Sequence, residues 1–201
     1  MRRASAIVTG AALLIAAMLL AACGSSTSGS SSSAGGGDTT ATQPNQGEAA
    51  GGEAGVVHWQ DPQHRYTIDS PGAMTVAADG SAAALRPEER LQVAIVTGSA
   101  AADPMALAQA DLSTLRSTAT NFRLLSGPAT VTIGGRQMVK ALYQWTAGTN
   151  PVTGKATNLA SARYYIPRDG SRLAVVTYGI AVSQYDPQGA DDEAISFTWL
   201  S

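Results

Sequence analysis

The chain has 201 residues, with 13 Lys and Arg against 15 Asp and Glu, one cysteine and two histidines. A formal charge of −2 without a basic stripe or a Lys/Arg cluster excludes the phosphate-neutralising surface of a nucleic-acid binder. A single Cys excludes an intramolecular disulfide.

Met1-Arg2-Arg3 precedes an apolar run from Ala4 to Ala22 broken only by Ser5, Thr9 and Gly10. A cationic start followed by such a run predicts a secretory signal over residues 1–22. By length alone the run could also span a bilayer, which takes ~20 apolar residues. Its end, Leu20-Ala21-Ala22-Cys23, resembles the lipobox of bacterial lipoproteins. That resemblance implies cleavage between Ala22 and Cys23, a diacylglycerol on the Cys23 thiol and a chain held at a membrane through Cys23. One acyl chain holds only marginally, so several chains on one residue replace a spanning helix. Without Arg2 and Arg3, 11 basic residues face 15 acidic ones, a formal charge of −4. The expected location is outside the cytoplasm, on the outer face of the cell membrane or on another envelope membrane.

After Cys23 and up to Gly55 the chain is almost entirely Gly, Ser, Thr, Ala and Gln, with Pro44, Asn45 and, as the only charges, Asp38, Glu48 and Glu53. Such a segment buries too little apolar surface to offset its chain entropy, so residues 23–55 read as a disordered tether with a reach of roughly 30 Å. Residues 56–201 have the size of one globular domain.

In that domain Tyr66 to Asp69 and Leu91 to Thr97 read as strands. Asp103 to about Thr120 reads as the long helix: Asp103 caps it, Pro104 fits its first turn, and Met105, Ala108, Leu112, Leu115 and Ala119 recur at steps of three and four. Val131 and Ile133 alternate with threonines, Gly134-Gly135 supplies the positive φ of a tight turn, and Val139, Ala141, Tyr143 and Trp145 alternate again, which predicts a hairpin. A second hairpin runs from Ala162 to Pro167, turns at Asp169-Gly170 and returns over Arg172 to Ile180. In its second strand Leu173-Ala174-Val175-Val176 is apolar on both faces, as in a covered strand. Asp186-Pro187 starts a short second helix with Asp191, Asp192 and Glu193 on its solvated start, before a closing strand through Ile195, Phe197 and Trp199. The fold class is therefore α+β, an antiparallel sheet with one long and one short helix packed against it.

Tyr66-Thr67-Ile68-Asp69-Ser70-Pro71, a single long helix, the Gly134-Gly135 hairpin, the Tyr164-Tyr165 strand, Leu173 to Tyr178 and Ile195-Ser196-Phe197 follow one another in an order similar to the PsbP-like family and its lipoprotein relatives. The resemblance covers about Val56 to Ser201 and implies a sandwich of an antiparallel sheet and helices. No metal ligand is carried over from it.

Catalytic and cofactor signals fail on geometry. Gly148 to Ala156 resembles a phosphate loop, but five residues separate Gly148 from Gly154, Ala156 replaces the magnesium-binding hydroxyl, and strands flank it on both sides, so it reads as a hairpin loop. His58 and His64 lack a carboxylate cluster for a metal and read as surface residues. Ser70 and Ser126 lie in no G-x-S-x-G elbow. Asp191, Asp192 and Glu193 lack calcium-loop spacing. Trp59, Trp145 and Trp199 fit either a ligand groove or, more simply, the core. No catalytic residue, metal or cofactor is therefore expected. The expected function is a tethered, non-enzymatic binding or accessory module for an envelope protein or component. The alternative is a small-ligand carrier or cryptic enzyme with an apolar pocket beside the sheet.

Overall fold

The computed structural model describes residues 55–201 apart from Pro87 and Pro151. The signal segment 1–22, Ala22, the lipobox cysteine Cys23 and the tether up to residue 54 lie outside the described residues. Ten strands and two helices follow in the order β1 (Val57–Gln60), β2 (Tyr66–Ser70), β3 (Thr75–Val76), β4 (Ala82–Leu85), β5 (Glu89–Thr97), α1 (Pro104–Thr118), β6 (Arg123–Ile133), β7 (Arg136–Thr149), β8 (Ala156–Asp169), β9 (Arg172–Ala181), α2 (Pro187–Ser196) and β10 (Thr198–Trp199). The fold is α+β with antiparallel strand pairing throughout.

Seven strands form one sheet in the order β3-β4-β5-β9-β8-β7-β6, and β1-β2-β10 form a second. The centre of the large sheet is covered on both faces, which explains the unbroken apolar run in β9. On one face Leu91, Val93, Ala162, Tyr164, Ile166, Ala174 and Val176 pack with Tyr66 and Ile68 of the small sheet, Ala190 and Ala194 of α2, and Phe197. On the other face Val139, Tyr165, Leu173 and Val175 meet Ala108, while Ala141 and Tyr143 meet Leu112. Residues one apart in a strand thus serve different layers, as the period of two requires.

The α1 stripe packs where its spacing predicted. Asp103 accepts hydrogen bonds from the Met105 and Ala106 amides, and Pro104 sits in the first turn. Gly134 and Gly135 join β6 to β7 with φ of +55° and +75°, values that glycine adopts without a side-chain clash. The edge strand β6 has shifted register around Ser126 to Ala129 and contains Pro128, features that blunt an edge against further pairing.

Three expectations shift. The β8–β9 turn is Gly170-Ser171, because Asp169 pairs with Arg172 and its carboxylate accepts from the Ser171 amide and hydroxyl. The closing strand is only Thr198–Trp199: Ile195 is still helical and exposed, and Phe197 ends the helix with its ring buried between Tyr66 and Trp199. The acidic run is not a solvated helix start. Asp191 accepts hydrogen bonds from Lys140 and the Tyr164 hydroxyl, and Glu193 is half-buried. Helical periodicity turned these two side chains toward the sheet while Asp192 stayed outside.

Candidate binding surface

Arg90, near the start of β5, and Trp145, near the end of β7, are separated in the sheet by β9 and β8, yet their side chains meet. The register places Arg90 opposite Gly179, Gly179 opposite Ser161, and Ser161 opposite Tyr143. Gly179 leaves the space above β9 open: a Cβ there would lie 2.7 Å from Ser161 Oγ. Ser161 Oγ instead accepts the Trp145 Nε1–H at 3.1 Å, which holds the indole along the sheet surface. The Arg90 guanidinium lies 5.7 Å from the Trp145 ring centroid, a cation–π distance, and its Nη2 donates to Ala147 O at 3.1 Å. Burial pulls the Arg90 pKa down, but a guanidinium remains charged in a protein. Its Nε is buried without a hydrogen-bond partner.

Two open depressions border these residues, the first at Arg90 and the second at Trp145. The first, about 290 Å³, is lined by Leu85, Arg86, Arg90, Gly148, Thr149 and Thr157, among others. The second, about 270 Å³, is lined by Asn121, Arg123, Gln144, Trp145, Asn158 and Val182. Three arginines line them and no acidic side chain does. The floor of the second is braced: Asn121 Nδ2 donates to Thr146 Oγ1, which donates to Asn158 Oδ1 at 2.7 Å. Cationic and amide groups above a rigid sheet suit an anionic, hydrogen-bond-accepting ligand.

Two further polar clusters bind the layers together. Under α1, Arg163 Nη2 donates to Asp111 Oδ2 at 2.9 Å, and the Tyr165 hydroxyl donates to the same oxygen at 3.2 Å. Beside α2, the Tyr178 hydroxyl donates to Glu89 Oε1 at 2.9 Å. Burial, then repulsion from Glu89, Asp69 and Asp192, pushes the Glu193 carboxyl up to about 7.

The residues singled out from sequence are dispersed. His58 pairs with Asp69 at 2.7 Å on the β1–β2 ladder, whereas His64 occupies the turn with φ +53° beside Gln60. No cluster of three or more His, Cys, Asp or Glu residues suited to a metal occurs among the described residues. Ser70 is buried and donates to Gly72 O, and Ser126 is exposed on the irregular edge strand. Trp59 and Trp199 pack against the core, and Trp145 packs against Ala141 and Tyr143 while lining the second depression. The Gly148–Ala156 segment is the β7–β8 loop, where Asn150 Oδ1 accepts from the Val152 and Thr153 amides. Arg86, Arg90 and Arg123 escaped the sequence reading because they match no motif and Arg123 lies more than 30 positions from the other two.

No family model matches the chain, and no curated protein matches it. Several solved structures are similar to it at low identity. A Bacteroides thetaiotaomicron protein is 12% identical with a TM-score of 0.46 and aligns over 71% of this chain, which spans 48% of that one. The Saccharomyces cerevisiae Ran-binding protein Mog1p is 12% identical with a TM-score of 0.45, over 71% of this chain and 94% of that one. Mycobacterium tuberculosis LpqN, involved in cell envelope biogenesis, is 17% identical with a TM-score of 0.37, over 73% and 90%. At these values no activity or partner is carried across.

Proposed function

We propose that the protein is a lipid-anchored envelope protein whose PsbP-like domain is a non-enzymatic binding module. The anchor rests on Leu20-Ala21-Ala22-Cys23 behind an apolar signal run. Among the described residues no helix is long and apolar enough to cross a membrane.

The observation that carries the binding assignment is the Arg90–Trp145 contact together with two arginine-lined depressions at the same end of the large sheet. A half-buried tryptophan and arginines on a rigid frame are the kinds of group that dominate recognition surfaces. The alternative carrier reading requires an enclosed apolar pocket beside the sheet, whereas these depressions are open and mix Leu85, Ala147, Trp145 and Val182 with Arg, Thr, Asn and Gln side chains.

The test is metabolic labelling with a fatty acid, comparing the wild type with Cys23→Ser. The wild type takes up label and is cut before Cys23, and Cys23→Ser does neither. Label on Cys23→Ser overturns the anchor. For the module, Arg123→Glu, an exposed change, abolishes complementation of a deletion phenotype at normal abundance; full complementation overturns the assignment of this surface.

A further inference from the structure

The strand ends around the two depressions lie at one end of the large sheet. The registers require it: Leu85 pairs with Arg90, Glu89 with Ile180, Leu159 with Ala181, Thr149 with Ala156, and Arg123 with Gln144. Arg86, Arg90, Arg123 and Lys155 all belong to this end. Exposed apolar side chains stand beside them on three separate connections, with Leu85 69%, Val152 90% and Val182 41% accessible. Most acidic groups here are already engaged. Glu89 accepts from Arg86 and Tyr178, Asp69 pairs with His58, and Asp186 caps α2; Glu88 stands exposed in the β4–β5 turn.

The chain also enters the domain at this end. Val57 pairs with Ser70, and a Cβ on nearby Gly72 would lie 3.0 Å from Arg86 Nη2. Gly55, two residues before β1, therefore lies near the β4–β5 connection that carries Arg86.

We infer that this end docks on the anionic headgroup surface of the membrane that holds Cys23. Arg86, Arg123 and Lys155 meet lipid phosphates, and Leu85, Val152 and Val182 reach the acyl boundary. The inference rests on the reading of Cys23 as a lipid anchor. Cations beside an anionic leaflet are attracted over about one Debye length, ~8 Å at physiological salt. Isolated apolar side chains between them gain from partial insertion. The apolar side chains are scattered among cations on separate connections and are not gathered in one patch. The tether confines the domain near the surface, so a weak intrinsic affinity suffices for occupancy.

The experiment uses the chain from residue 23 onward with Cys23→Ser, which carries no acyl group, and sediments it with vesicles. It co-sediments with vesicles containing phosphatidylglycerol and not with pure phosphatidylcholine, and binding falls several-fold between low and high salt. Combining Arg86→Glu, Arg123→Glu and Lys155→Glu lowers binding by about tenfold or more. Leu85→Ser with Val152→Ser lowers it several-fold, and both variants keep the parent's melting temperature because all five positions are exposed. Absence of binding, or binding unchanged by the charge reversals, overturns the docking. Fatty-acid labelling of the wild type runs in parallel. Missing label on Cys23 overturns the anchor and this inference with it, and label without vesicle binding overturns the docking alone.

Discussion

Asp111 of α1 and Arg163 of β8 meet at 2.9 Å with only 16% and 11% of their side chains exposed. The same carboxylate oxygen receives the Tyr165 hydroxyl, so one acceptor ties the helix to two residues of the sheet centre. Both charges are largely out of water, and removal of one leaves the other uncompensated. Asp111→Leu is therefore expected to destabilise the domain by about 3 kcal/mol, or roughly 10 °C in melting temperature. Adding Arg163→Met should recover most of that loss, since an apolar pair of similar volume leaves no orphan charge. Thermal unfolding of the three proteins checks it, and equal stability of the single and double variants would refute it.

Gly179 and Ser161 give a second test, of the sheet surface beneath the Arg90–Trp145 contact. A Cβ at position 179 would lie 2.7 Å from Ser161 Oγ but 3.6 Å from its Cβ, so the clash is with the hydroxyl alone. If the hydroxyl rotates away, the Trp145 indole loses its acceptor. Gly179→Ala should cost about 1–2 kcal/mol in the wild type and clearly less in a Ser161→Ala background. Denaturant unfolding of the four-member cycle measures the coupling, and strict additivity would show that Ser161 Oγ is not the obstacle.

Glu193 sets a pH dependence whose sign follows from its raised pKa. Its ordinary value is 4.5 and the folded protein holds it near 7, so between these values folding takes up a proton. The group is neutral in both states below about 4.5, and its destabilising effect grows as pH rises through 7. Glu193→Gln should therefore raise stability at pH 8 by about 1–2 kcal/mol, discounted for partial exposure, and change little at pH 4. Unfolding curves at the two pH values decide it. A variant less stable than the wild type at pH 8 would contradict the assignment.

The two histidines provide a test of the non-enzymatic reading. His58 and His64 sit apart on the β1–β2 hairpin, one paired with Asp69 and the other in the turn at φ +53°. His58→Ala combined with His64→Asn, a residue that tolerates positive φ, should leave fold, abundance and complementation intact, with a stability change below about 1 kcal/mol. Loss of complementation at normal abundance would point to chemistry at these residues.

The features legible in the chain are those coded within a few residues. Asp103-Pro104 and Asp186-Pro187 each hold a cap and a first turn together, and Gly134-Gly135 supplies both positive φ angles of one turn, so α1, α2 and the β6–β7 hairpin follow from local backbone preference. The lipobox resemblance at Cys23 is likewise purely local. Packing decided the rest. Ala82–Leu85 becomes a strand because β5 and β3 pair with it, although alanine has little strand preference of its own. The acidic run at Asp191 to Glu193 looked solvated, yet two of its side chains turn inward because Ala190, Ala194 and Phe197 bury the same helix face. Arg90 and Trp145 stand 55 positions apart in sequence and meet only because β9 and β8 pair between them and Gly179 leaves room. No periodicity carries that information, because a contact across three strand spacings depends on the register of every pairing in between.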